Sequence, residues 1–383
     1  MIKSIKYKAV NWVDGMKISQ MHLDAYTNFT LDQLRDVSSL FINPFNYGLL
    51  PLGDKNQEQV IFDVSTTLTG DVQLTIKNCS AITLAGFRID LSDFTTNLKA
   101  LIPPVKGELE EPALTYYLII SVNPFDKVPH GAIDFEETPP RQPYTKPSYH
   151  IELMPVLSLD AGMSTSGGNF ILLGKVQMQG GNILLDVNFI PPCTSLFSHP
   201  RLQNCYHSMA KTMDILQKYA IKIVQKNINY SQNAKLASNI KLLCQALIHH
   251  IGTIYFHFRN SIPYIAPIYF VACFSQLAIQ VYLVTQTMSP ADLEEMLNYI
   301  GEWSEIAPYV FLNQLSAVAE LKYQHTTCGA HLDEIQVLMG SLEKIFLKLS
   351  ELDYIGQRQE NIIVNEQEVT PISKANRGWS VLD

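Results

Sequence analysis

Ten histidines, six cysteines and one run of carboxylates are the side chains through which this sequence could bind a metal or catalyse a reaction. His249 and His250 are adjacent in a stretch with helical periodicity, so they point about 100° apart, poor geometry for holding one ion. His250 and His257, seven residues apart, could share a helix face, but two ligands two turns apart need a third that no spacing supplies. Cys79, Cys193, Cys205, Cys244, Cys273 and Cys328 stand singly, without a C-x-x-C pair, which argues against metal ribbons and redox motifs. The run Gly107-Glu108-Leu109-Glu110-Glu111 gathers carboxylates, yet acidic runs are normally solvated. His22 follows the segment Trp12-Val13-Asp14-Gly15-Met16 and could act as ligand or acid/base group. No serine, cysteine or carboxylate is placed beside it by spacing, so a structural hydrogen bond is the expected role. The chain lacks G-x-S-x-G, a phosphate-cradling P-loop, a dinucleotide fingerprint and H-E-x-x-H. No cofactor, metal or catalytic residue is implied, and an enzyme is not expected.

The elements that must position any site come next. The chain has 383 residues, 47% of them hydrophobic and 17% charged, enough for two domains with their own cores. Its 28 bases against 36 acids leave a net charge of −8. Nucleic acid binding draws on clustered Lys and Arg that release counterions, so a nucleic acid partner is not expected. The first residues carry no apolar run of signal-peptide length, and single thiols suit a reducing cytoplasm. From Asn260 to Ala291 no residue is charged. Pro263, Pro267, Ser275, Gln276 and Gln280 interrupt that stretch and no Lys/Arg bias flanks it, so a buried or interface helix is expected rather than a membrane span.

Two textures divide the sequence near residue 200. Before it, short apolar runs alternate with polar residues at the period of half-buried strands: Val60/Phe62/Val64, then Val72/Leu74/Ile76 after Gly70-Asp71. Ala81 to Asp90, Thr115 to Val122 and His150 to Leu159 continue the series. Phe170–Gln179 and Asn182–Val187 read as a hairpin closed by Gly180-Gly181. Val128 to Ser148, with five prolines, reads as a long loop or arm. After it, helices are expected over Leu202–Ile228, Lys235–Phe258, Ile268–Val284, a stretch opening at Ser289-Pro290, and His331–Leu352. The expected fold is α+β and multidomain: an N-terminal antiparallel β-sandwich over residues 1–200, a long-helix bundle over 201–352, and a short polar tail over 353–383.

Four segments resemble the TssK family of type VI secretion baseplate proteins. Asn11 to His22 resembles its opening signature, with Trp12, Asp14, Gly15, Met16 and His22 matching; Gln20 and Met21 stand where the family has proline and glutamine. Asn43-Pro44-Phe45-Asn46-Tyr47-Gly48-Leu49 is similar to its Pro-aromatic-x-aromatic-Gly element, with Pro44, Tyr47 and Gly48 in place. Phe189-Ile190-Pro191-Pro192-Cys193 is similar to its Ile-Pro-Pro-Cys junction, and Pro263 to Ala278 to its middle bundle helix.

The resemblance implies a β-sandwich "shoulder", akin to that of phage receptor-binding proteins, and a helical "neck" through which three chains form a homotrimer. It implies a cytoplasmic baseplate adaptor near the inner membrane, bound to wedge proteins of the TssF and TssG type. Trp12, Gly15 and His22 are then architectural, with the tryptophan in a core slot. Tyr269, Phe270, Gln276, Leu277 and Gln280 are interface candidates, with Gln276 and Gln280 facing the axis. About thirty residues follow the last helix. That is short of an independent domain, so the family's C-terminal head, which docks on membrane-complex proteins, is not expected. Two other readings are a phage-tail-like receptor- or carbohydrate-binding protein, and a hydrolase built from the proline-rich loop and Glu108–Glu111.

Overall fold

A computed structural model describes residues 4–51, 61–66, 72–98, 114–156, 167–179, 182–226 and 234–358. The expected turns at Gly70-Asp71 and Gly180-Gly181, the carboxylate run Glu108–Glu111 and the tail beyond Arg358 lie outside the described residues. The chain is a mixed α+β fold with antiparallel sheets.

The first sheet is built on β3 (Val72–Ile82), which pairs with β4 (Arg88–Asn97) along one edge and with β2 (Ile61–Thr66) and the short β1 (Gly48–Leu49) along the other. The expected single run from Ala81 to Asp90 is divided by a turn in which the Phe87 N–H donates to Thr83 Oγ1 at 3.1 Å. In β3 the buried residues change parity, from Leu74 and Ile76 to Cys79 and Ala81. A bulge causes this: Ile61 pairs with Asn78 but Phe62 with Ile76, leaving Lys77 as the extra residue.

The second sheet has the order β6-β5-β7-β8, from β5 (Leu114–His130), β6 (Tyr144–Pro155), β7 (Phe170–Gln179) and β8 (Asn182–Leu185). The run Tyr116 to Ile120 is apolar without alternation because β5 is covered on both faces. Tyr116, Leu118 and Ile120 enter the main core, while Tyr117 and Ile119 join Phe170 and Leu172 in a second cluster under Phe189. The stretch expected as a long loop or arm is paired at both its ends: past a bulge between Asn123 and Lys127, β5 and β6 stay paired out to His130 and Tyr144, well past β7, which ends opposite Ser121. The proline-rich segment is therefore the tip of a two-stranded arm.

Seven α-helices lie among the described residues. Helix α1 (Gln20–Ser39) precedes the sheets, where no helix was expected. After residue 199 come α2 (Pro200–Val224), α3 (Ala234–Asn260), α4 (Pro267–Gln286), α5 (Pro290–Ser304), α6 (Pro308–Ala319) and α7 (Cys328–Glu351). Proline opens α2, α4, α5 and α6, where its missing N–H costs nothing. Ser289 caps α5 as expected, its side chain accepting the Asp292 N–H at 3.2 Å. Helix α6 was not expected, and α7 begins three residues earlier than the sequence pattern suggested. Helices α2 to α7 and both sheets share one continuous core. Residues 353–358 are held on α5: the Gly356 N–H donates to the Tyr299 hydroxyl at 3.0 Å, and Arg358 pairs with Glu302 at 2.9 Å.

Candidate functional site

Two of the singled-out segments form one contact. Leu49 N–H donates to Pro192 O at 2.8 Å, Thr194 N–H donates back to Leu49 O at 2.9 Å, and the Thr194 hydroxyl adds a second bond to that carbonyl. Gly48 sits at φ +117, and a Cβ there would lie 2.0 Å from Pro192 O. Only glycine allows so close an approach in that backbone region. Cys193 is buried beside this contact, its Sγ donating to Pro191 O at 3.1 Å. The turn leading into α7 closes the other side. His325 bridges Tyr47 O and the Tyr323 hydroxyl, each at 2.8 Å, and its ring lies 5.1 Å from that of Tyr47. Burial pushes His325 down to about 4, against the pull of its bond to Tyr47 O, and raises the Tyr47 hydroxyl to about 12. The junction is thus a neutral, buried polar knot that ties the sheets to the helices.

Above it opens a cleft of about 540 Å³, lined by Asn43, Phe45 and Asn46, by Thr194, by Tyr264, Ile265 and Ala266 just before α4, and by Ile268, Tyr269 and Ala272 at its start. The Asn43–Asn46 rim is fixed by its own amides: Asn43 Oδ1 accepts from Phe45 N–H at 2.9 Å, and Asn46 Nδ2 donates to Phe41 O at 2.8 Å. Pro44 is exposed on this rim.

The N-terminal signature lies elsewhere, at the entry to α1. His22 Nδ1 accepts the Ser19 N–H at 3.2 Å, with the Ser19 hydroxyl 2.9 Å away, so the histidine caps its own helix rather than tying the segment to the sheet. Trp12 does not fill a core slot. It is 46% exposed, its ring 6.1 Å from that of His22. Gly15 makes the turn at φ +77, with open space around it, Asp14 is exposed and Met16 half-buried.

Helix α1 is inverted. Its buried side holds Asp32 and Arg35, paired at 2.8 Å, and Asp32 also accepts the Lys6 and Tyr7 N–H groups at 2.5 and 3.1 Å. Burial raises the Asp32 pKa, but these backbone donors and Arg35 outweigh it and hold the carboxyl below its ordinary value. On the opposite side Leu23, Tyr26, Leu34 and Val37 form one stripe at helical spacing, continued by Phe41, all open to solvent. An apolar stripe on the water side is the reverse of an ordinary surface helix.

Helix α4 is the one described helix long and apolar enough to cross a membrane, and it packs as a core helix along one face. Phe270 packs tilted or edge-on within a cluster with Tyr206, Phe258 and Phe274, at ring distances of 5.1 to 6.3 Å among these four. Phe270 and Leu277 are therefore sealed inside the chain and drop out as interface residues. Tyr269, Gln276 and Leu283 remain exposed on the other face, with Gln280 half-buried between them. Gln280 also hydrogen-bonds to His250, whose Nε2 meets Cys273 O at 2.8 Å inside the core. His257 is exposed, so it does not join His250. Among the described residues no three His, Cys, Asp or Glu side chains gather as a metal site. All six thiols are buried, which raises their pKa values and keeps them protonated.

No protein-family model matches the chain, and no curated protein matches its sequence. Among solved structures, the chain is similar to a crystal structure of TssK at 14% identity and TM-score 0.48, over 87% of this chain and 69% of that one. It is similar to a chain of a TssK-TssF-TssG baseplate subcomplex of the type VI secretion system at 12% identity and TM-score 0.48, over 91% and 99%. A third likeness is to TssK from the EAEC type VI system bound to a nanobody, at 12% identity and TM-score 0.46, over 83% and 96%. All three are partial likenesses of fold.

Proposed function

We propose that this chain is a structural baseplate adaptor of a bacterial type VI secretion system. In this reading it is a TssK-type protein that forms homotrimers and holds wedge proteins of the TssF and TssG type. Residues 1–200 serve as shoulder, 201–352 as neck and 353–383 as a short tail, and the protein works in the cytoplasm without a cofactor. The observation that carries the reading is the Gly48–Pro192 contact. It joins two of the segments that carry the resemblance, far apart in sequence, and gives a physical reason for glycine at 48: a Cβ there would lie 2.0 Å from Pro192 O, which accepts from Leu49 N–H. The uncovered apolar stripe of α1 supports a role in assembly, and it is the surface assigned to the wedge proteins. The uncharged outer stripe of α4 beyond the cleft, Gln276 to Leu283, is assigned to the trimer. Leu34→Asp with Val37→Asp should leave the fold intact and abolish co-purification with TssF- and TssG-type proteins encoded beside this gene. Unchanged co-purification would contradict the assignment.

A further inference from the structure

The arm and the cleft are complementary. Beyond Ser121 the β5–β6 ribbon continues through six residue pairs, from Val122↔Tyr149 to His130↔Tyr144, roughly 20 Å at about 3.3 Å per residue, with a bulge on β5 between Asn123 and Lys127. Its base is held on the α1 side: Phe125 lies 4.5 Å from the ring of Tyr7, and Lys127 pairs with Asp24 at 3.1 Å. Its tip carries Ile133, Phe135, Pro139, Pro140 and Tyr144, and Phe135 is 80% exposed, the most exposed large apolar side chain described. A monomer gains nothing by holding such a group in water at the end of a paired ribbon. The cleft offers Phe45, Tyr264 and Tyr269, all exposed, with the Asn43 amide on its rim. Aromatic walls with a side-chain donor are what a proline-rich segment needs, since prolines present flat apolar rings and carbonyls but no N–H. The tip bears Asp134, Glu136 and Glu137, the last paired with Arg141, while Arg259 is exposed at the end of α3, five residues before Tyr264 in the chain. The tip of the same chain is open to solvent and does not fill this cleft.

We propose that the cleft receives the arm tip of a second copy of this chain, with Phe135 and the adjoining prolines against Tyr264 and Tyr269. The inference rests on the self-association proposed above and names a contact that the α4 stripe does not provide. The test mixes two full-length variants, Phe135→Cys and Tyr269→Cys, under mild oxidation; both sites are exposed, and all six native thiols are buried. A disulfide-linked pair of chains should form in the mixture and not in either variant alone. It should also be absent when Phe135→Cys is mixed with Leu184→Cys, an exposed control on β8. No product, or equal product with the control, overturns the proposal. As a second measurement, a synthetic peptide of residues 131–144 should bind the full chain at least tenfold more weakly after Tyr264→Ala with Tyr269→Ala, and unchanged binding also overturns it. Light scattering on the same samples reads the trimer separately: a trimeric mass without the cross-link rejects the arm contact and leaves the baseplate reading standing.

Discussion

Gly48→Ala attacks the junction with one methyl group. Its Cβ would lie 2.0 Å from Pro192 O, 2.2 Å from Pro192 C and 2.7 Å from Cys193 N, all backbone atoms of a buried segment that cannot swing aside. Alanine at φ +117 adds strain of about 1–3 kcal/mol. Relieving the clash means separating the segments, which breaks the Leu49–Pro192 and Thr194–Leu49 backbone bonds at about 1 kcal/mol each and leaves buried groups unpaired. The loss should be about 4 kcal/mol, a large share of an ordinary stability of about 5–15 kcal/mol. Two other glycines calibrate it. Gly15→Ala meets the same kind of strain at φ +77 but open space, and should cost about 1 kcal/mol. Gly252→Ala lies in α3 with nothing near and should stabilise by up to about 1 kcal/mol. Urea unfolding followed by circular dichroism gives all three. A Gly48→Ala midpoint within 1 kcal/mol of the parent, or below the loss at Gly15, would refute the reasoning.

Stability should also follow pH. His199 is held down to about 4 by burial and the nearby Arg201 charge, and His325 to about 4 by burial. The unfolded chain therefore binds more protons between pH 6.5 and 4, so stability is full above about 6.5 and falls toward pH 4, by about 1.4 kcal/mol per pH unit for each histidine. A flat urea midpoint across that range would show these rings to be solvated. Asp32→Ala removes the acceptor of Lys6 and Tyr7 and the 2.8 Å partner of the buried Arg35, a loss of about 3 kcal/mol, seen as faster proteolysis near the N-terminus. Equal cleavage rates would contradict it. Gln276→Glu puts one like charge per chain on the α4 stripe and should shift the trimer toward monomer in light scattering, while an unchanged mass would move the interface elsewhere.

Several elements were legible because a single local rule governs them. Ser289-Pro290 announces α5, and the 3.6-residue apolar period from Ile335 to Leu349 announces α7. Helix α1 was missed because its period points the wrong way: the buried side carries Asp32 and Arg35, and the apolar residues face out. The bulge at Lys77 hides in a strand that still alternates on either side of it. The proline-rich stretch was legible only as a long loop or an arm, and it is the arm that forms, with Pro129 and Pro147 within a ladder that tolerates them where the ribbon leaves the sheet. The cleft had no sequence signal, since Asn43, Thr194 and Tyr264 meet only once sheets and helices are packed. Trp12 was placed in the core on the strength of the resemblance, whereas it stands at the surface beside His22.

The central claim is a trimer that carries wedge proteins. Its most direct test is the mass, by light scattering, of the purified chain alone and with TssF- and TssG-type proteins from the same cluster. The expected result is three times 43.2 kDa for the chain alone and a heavier single species with the wedge proteins. A particle of 43.2 kDa whose mass does not change on mixing would contradict it.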